Sequence, residues 1–290
     1  MFFYMDDWKN LPMAAVIAGL VAYVAGKNMF VSMEGAAMGS LALSCICIWN
    51  GFFNSIQSVC RERDVVKREH RSGMHISSYL IAHMIYQAFM CLCQTLITVY
   101  VCKFAGMNFP TLGFVTGNFE LDFGITIFLL TYSADMISLA ISCMAKTTTT
   151  AMTLMPFMLI FELLFSGNMF KLDEAMSGFT DLSIAKWGIN CMSAQAGYNS
   201  LPMVTVWNQM VKFQNYTYEG VQPLKYVVQQ IYENNQVDEF CLEVGRNSQV
   251  AEYVQSYGNI LNCWFTLIMF AIIAAFVAVL ILERIDKDKR

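Results

Sequence analysis

Residues 60–79 read C-R-E-R-D-V-V-K-R-E-H-R-S-G-M-H-I-S-S-Y. Eight Asp, Glu, Lys or Arg side chains and one histidine fall within the first twelve positions, in a chain that is only 14% charged. Long apolar runs flank the stretch on both sides, so it marks the place where an otherwise buried or lipid-facing chain meets water. As a helix it sets Arg61 and Asp64 at i,i+3 and Asp64 and Arg68 at i,i+4, and it gathers Ile56, Val59 and Val66 on one stripe. Such a helix lies along a membrane face with its stripe inward and its guanidinium groups outward. Positive-inside topology needs only a few Lys or Arg, and acids contribute little to it. Alternation of both signs over twelve residues therefore points further, to a docked protein partner.

The rest of the composition fits that frame. With 57% hydrophobic residues over 290 positions and a mean hydropathy of +0.47, the chain is far too apolar for a water-soluble domain. It reads as an all-α polytopic membrane protein. A net charge of −4 gives no reason to expect nucleic acid, which needs a concentrated basic surface. Ten cysteines are present, but Cys45, Cys47, Cys91, Cys93, Cys143 and Cys263 fall inside apolar runs and read as small packing residues. No pair has zinc-ligand CxxC spacing, and no metal site is expected.

Six spans are expected. Residues 1–10 mix aromatic rings with Asp6, Asp7 and Lys9, as an interfacial helix does. The first span covers 11–31, with an interruption at Gly26-Lys27-Asn28, and is read as retained rather than as a cleaved leader. The second runs 35–57 and the third 76–104, each long enough for about 30 Å of hydrocarbon at roughly 1.5 Å per residue. A turn-rich loop at 106–122 leads to the fourth span, 123–144. Thr147 or Thr148 caps the fifth, 151–165, in which Pro156 removes a backbone donor. A polar segment, 167–259, precedes the last span at 260–282. Its first part is amphipathic enough to re-enter the membrane, and 226–233 and 250–257 read as short surface helices.

An even number of spans puts both termini on one side. That side, including the 58–75 loop, holds 11 of the 18 basic residues in short stretches near span ends, which makes it cytoplasmic, at the cell membrane. The 167–259 segment is then extracellular. Cys191 and Cys241 are its only cysteines and a candidate disulfide pair, and Asn215-Tyr216-Thr217 is an N-glycosylation triplet for a eukaryotic host.

Catalysis finds little support. There are three histidines, and the sequence has no G-x-S-x-G elbow, no HExxH and no G-x-x-x-x-G-K-[ST] phosphate loop. No cofactor is expected on this chain. His83, Asp135 and Glu162 are the intramembrane ionisable residues. A charge at mid-bilayer costs on the order of 3 kcal/mol, so each needs a cavity, a partner or a nearby interface. They read either as polar contacts between helices or as a proton relay.

Two separated motifs add a resemblance. Arg68-Glu69-His70-Arg71-Ser72-Gly73 followed by Ser77-Ser78-Tyr79, with Glu62 seven residues before Glu69, resembles the first cytoplasmic loop of G-subfamily-type ABC exporters and their permease relatives. Phe165-Ser166-Gly167 and then Ser183-Ile184-Ala185-Lys186-Trp187-Gly188 resemble a second stretch of the same family, with Ala185 where the family often has proline. The resemblance implies a dimer of six-span permeases with a cytoplasmic coupling helix and an extracellular re-entrant region between spans five and six. It also implies an ATP-binding cassette subunit, carrying ATP and Mg2+, on another chain. Arg61, Glu62, Arg63, Lys67, Arg68 and Glu69 then match the coupling helix. Asn50, Ile160 and Leu163 match the substrate path, which helical periodicity extends to Phe53 and Asn54. Asn168 and Met169 match the extracellular gate. A non-transporting scaffold or sensor built on 167–259, and an ion-coupled carrier using His83, Asp135 and Glu162, are the competing readings.

Overall fold

In a computed structural model the described residues are 8–167, 177–217 and 220–284. They form helices joined by turns: α1 Asn10–Ala25, α2 Met33–Ser55, α3 Ser58–Arg71, α4 Ile76–Phe104, α5 Phe119–Met144, α6 Thr148–Leu164, α7 Ile184–Gln195, α8 Thr205–Phe213, α9 Pro223–Glu233, α10 Val237–Arg246 and α11 Tyr257–Leu282. Four helical runs are long and apolar enough to cross a membrane: Met33–Arg71, which joins α2 and α3, Ile76–Phe104, Phe119–Met144 and Tyr257–Leu282. The chain is an integral membrane protein. α1 and α6 are equally apolar but shorter, at 16 and 17 residues, or about 25 Å each against a core of about 30 Å. The interfacial helix expected at 1–10 lies almost wholly outside the described residues, as do Asn168, Met169 and the C-terminal charges.

Local chemistry sets the helix boundaries. The Ser32, Asn118, Thr147 and Ser256 side chains accept from backbone N–H groups at the starts of α2, α5, α6 and α11, meeting donors that have no partner inside a helix. Gly26, at φ +72°, ends α1 in a conformation L side chains rarely adopt. This stop falls where the sequence shows its Gly-Lys-Asn interruption. The helix expected at 250–257 is instead a single 3-10 turn at Ala251–Tyr253, because Ser256 starts α11 three residues earlier than the apolar run suggests.

α5 is the centre of the bundle, with α2 packed along one side and α11 along the other. At Gly51 of α2, a Cβ would strike the Thr131 carbonyl oxygen and come within 2.7 Å of Ala134 Cβ, so glycine lets the two backbones touch. Hydroxyls lock the same contacts. Ser138 Oγ donates to the Phe52 carbonyl at 2.8 Å on the α2 side, and Ser133 Oγ to the Leu267 carbonyl at 2.8 Å on the α11 side. Small residues and interhelical hydroxyl bonds are how helices associate in lipid, where apolar burial offers little gain. At the far end, the rings of Phe30, Phe109, Phe119 and Phe123 cluster with centroids 5.5–5.8 Å apart, mostly tilted or edge to face, and close the α1–α2 connection.

α7 is buried among α2, α5 and α11. Thr126 of α5 ties it in: its Oγ1 accepts from Gln195 Nε2 at 2.9 Å and from Trp264 Nε1 at 2.8 Å. α8, α9 and α10 pack on one another beyond the bundle. Of these, only α9 was legible in the sequence.

Candidate functional site

α3 is the amphipathic helix expected from 60–71, and the structure shows what fixes it. Its N-cap residue, Gln57, offers no side-chain bond. The missing acceptor comes from another helix: Ser142 Oγ, fully buried in α5, accepts from Val59 N at 3.1 Å and Cys60 N at 3.2 Å. Arg63 answers at the same, C-terminal end of α5, donating through Nη1 to the Cys143 carbonyl at 2.9 Å and the Ala145 carbonyl at 3.1 Å. A cation on the last carbonyls of a helix is favoured by both the orphan acceptors and the helix dipole. Each of the two helices therefore caps the other.

Glu62 completes the seat. Tyr79 Oη donates to Glu62 Oε2 at 2.8 Å, and His83 Nε2 of α4 stands 3.8 Å from the same oxygen, with the Tyr79 and His83 rings edge to face at 4.7 Å. The nearby His83 ring and the Tyr79 hydroxyl, against a desolvation that pushes the other way, hold the Glu62 carboxyl below its ordinary range. Val59 and Val66 are buried beneath the helix. Gly73, at φ +106°, reverses the chain into α4.

The six expected cassette-facing residues thus divide. Glu62 and Arg63 point into the bundle and anchor the helix, and Lys67 is half-buried. Arg61, Arg68 and Glu69 are exposed on the outer face, as is the neighbouring Asp64. Sequence periodicity predicted an outward charged face. It could not show that one acid and one base turn inward, because their partners lie far away along the chain.

The second feature is a cavity of about 720 Å³ between α1, α2 and α4, walled by Met13, Ile17, Cys45, Ile46 and Trp49 among others. Two of the expected path residues, Asn50 and Phe53, line it. Trp49 and Phe53 form its aromatic wall, with ring centroids 5.1 Å apart. Lys9, Asn10 and Gln94 supply the polar groups beside Asn50. Asn54 lies behind this wall, its carboxamide exchanging two 2.9 Å hydrogen bonds with Gln94 and accepting from Asn10 at 3.4 Å. It braces α1, α2 and α4. Ile160 and Leu163 do not line this cavity; they lie on α6, whose Leu154, Phe157, Ile160 and Leu164 form an exposed apolar stripe.

The three intramembrane ionisable residues lie on three different helices, α4, α5 and α6. His83 belongs to the α3 seat. Asp135 is fully buried in the middle of α5, with Cys91 and Tyr132 as electrostatic neighbours. Glu162, near the end of α6, accepts from Ser183 Oγ at 2.7 Å and from Ala185 N at 3.1 Å through Oε2, and so caps α7 from outside. Glu34, on the first turn of α2, does the same for α8, accepting from Thr205 N at 2.7 Å. Sequence reasoning did not single out Glu34. No sequence signal pointed to it, since the helix it caps begins 171 residues further along the chain. The pair expected between Cys191 and Cys241 is not formed: both are free thiols. Cys191 faces Thr126 at 3.3 Å and packs with Ile260 and Cys263, while Cys241 sits on α10, where its carbonyl accepts from Met203 N.

The chain is a helical membrane bundle with a short charged helix capped onto its central helix. Residues 4–195 match the ABC-2 type transporter family, covering well over half of the chain, and the protein belongs to that family. A search of curated proteins finds no match.

Proposed function

We propose that the chain is the permease of an ATP-driven exporter, with α3 as the element that receives force from an ATP-binding cassette. The observation that carries this reading is the mutual capping of α3 and α5. Because Ser142 and Arg63 clamp α3 to the central helix, a push on α3 passes into α5 and from there to α2 and α11 without slack. ATP and Mg2+ belong to the cassette, and the exposed Arg61, Arg68 and Glu69 offer it complementary charge.

The cavity beside α2 is the cargo site in this reading. Its volume falls within the usual range for small-molecule pockets. An aromatic and aliphatic wall with a few amides suits a hydrophobic or amphipathic substrate. Both termini and α3 face the cytoplasm, six helices span, and α7 re-enters from the outside. The apolar stripe on α6 takes a second permease chain. Asn168 and Met169 remain the proposed gate residues. Structural contacts are favoured over a proton relay, since His83 sits beside Glu62 and Tyr79 while Glu162 caps α7.

Reversal of the outer charges, as Arg68→Glu with Glu69→Lys, is expected to abolish ATP-dependent export while membrane insertion and thermal stability stay at wild-type level. Export at the wild-type rate in that double variant would defeat the coupling role of α3. Export that follows a proton gradient and ignores ATP would instead favour a carrier.

A further inference from the structure

We propose that Asn215 carries an N-linked glycan. The inference rests on the sidedness given above, in which the segment after α6 faces the exterior or the secretory lumen. Asn215-Tyr216-Thr217 is the one N-x-[ST] triplet in the sequence. It falls just after α8, in backbone that belongs to no helix. That placement matters because a transferase must bind the triplet extended, with the threonine hydroxyl presented beside the acceptor amide.

The surroundings fit an acceptor. Asn215, Tyr216 and Thr217 are all exposed, Tyr216 at 63%. Among the described residues, no hydrogen bond engages the Asn215 carboxamide or the Thr217 hydroxyl. By contrast, Asn199 and Asn259, on the same side of the bundle, have their carboxamides bound to backbone carbonyls. The site lies between α8 and α9, two helices that pack on each other and on α10. Phe213, Tyr216 and Val221 are left exposed around it, and a bulky hydrated sugar rooted at Asn215 would shade those apolar side chains from self-association.

The chemistry balances without any further reactant. Nδ2 of Asn215 bonds to C1 of the first sugar of a polyprenyl-diphosphate oligosaccharide, the polyprenyl diphosphate leaves, and the amide nitrogen gives up one proton.

The test uses the full chain expressed in a yeast or insect host, with and without peptide N-glycosidase treatment. Glycosidase is expected to increase gel mobility and to leave an aspartate at position 215 in the peptide mass spectrum. Asn215→Gln and Thr217→Ala should each abolish the shift, whereas Thr217→Ser should keep it. A second variant, Gln236→Thr, creates a new triplet at Asn234, which is exposed in the same segment. A glycan at Asn234 in that variant with none at Asn215 overturns the proposal but leaves the sidedness intact. No glycan at either position overturns both.

Discussion

Ser142→Ala removes one oxygen and should loosen one helix. The Ser142 hydroxyl is the acceptor for Val59 N and Cys60 N at 3.1 and 3.2 Å, and α3 has no side-chain cap of its own. Loss of an N-cap costs about 0.5–2 kcal/mol, and a buried donor left without a partner costs about 1–3 kcal/mol. Both bonds are buried, so water replaces little of the loss. A penalty of about 2 kcal/mol for undocking the start of α3 follows, which is roughly a 30-fold change in the docking equilibrium. Hydrogen–deuterium exchange in nanodiscs reads that quantity directly. The Val59 and Cys60 amides should exchange roughly 30-fold faster in Ser142→Ala, with α4 and α11 unchanged and Ser142→Thr close to wild type. Unchanged protection at Val59 and Cys60 would refute the idea that α5 caps α3.

Three further outcomes follow from the geometry. Gly51→Ala pushes a methyl group into the Thr131 carbonyl and to within 2.7 Å of Ala134 Cβ; overpacking of this kind costs about 1–3 kcal/mol and should appear as a lower thermal midpoint in detergent. Glu162→Ala strips α7 of an acceptor for Ser183 Oγ and Ala185 N, with an expected loss of about 1–3 kcal/mol for buried donors left without a partner, while Glu162→Gln keeps one acceptor oxygen and should lose less in the same melt. The Glu62 carboxyl is held below its ordinary value of 4.5. Its contribution is therefore fully present above that value and fades as pH falls through its lower value in the folded protein. Exchange from α3, corrected for intrinsic rates, should rise on acidification in the wild type and show no such step in Glu62→Gln.

Much of this architecture is legible in the sequence because it depends on one-dimensional signals. Residues 76–104 are recognisable as a span from length and apolarity alone and match α4 end to end. The charged run at 60–71 announces α3 for the same reason, since nothing else in the chain carries such density. What the sequence hides are bonds between distant residues. Arg63 reaches carbonyls 80 and 82 residues away, and Ser142 caps a helix that begins more than 80 residues before it. No periodicity distinguishes that serine from Ser138, whose hydroxyl bonds to Phe52 instead. Cys191 illustrates the converse error. Sharing a polar segment with Cys241 suggested a pair, but α7 is drawn into the bundle and α10 stays outside it, so the thiols part. α8 and α10 escaped notice because short amphipathic helices at a surface mix polar and apolar residues as loops do.

The central claim is that α3 is where an ATP-binding cassette engages this permease. A photo-reactive amino acid placed at Arg68, on the outer face, and another at Glu62, on the inner face, tests it in native membranes. Cross-linking followed by mass spectrometry should join position 68 to a phosphate-loop ATPase domain, with an adduct yield that changes on adding ATP and Mg2+, and should join position 62 only to residues of α4. A cassette-free result at position 68, or equal capture of a cassette from both positions, would contradict it.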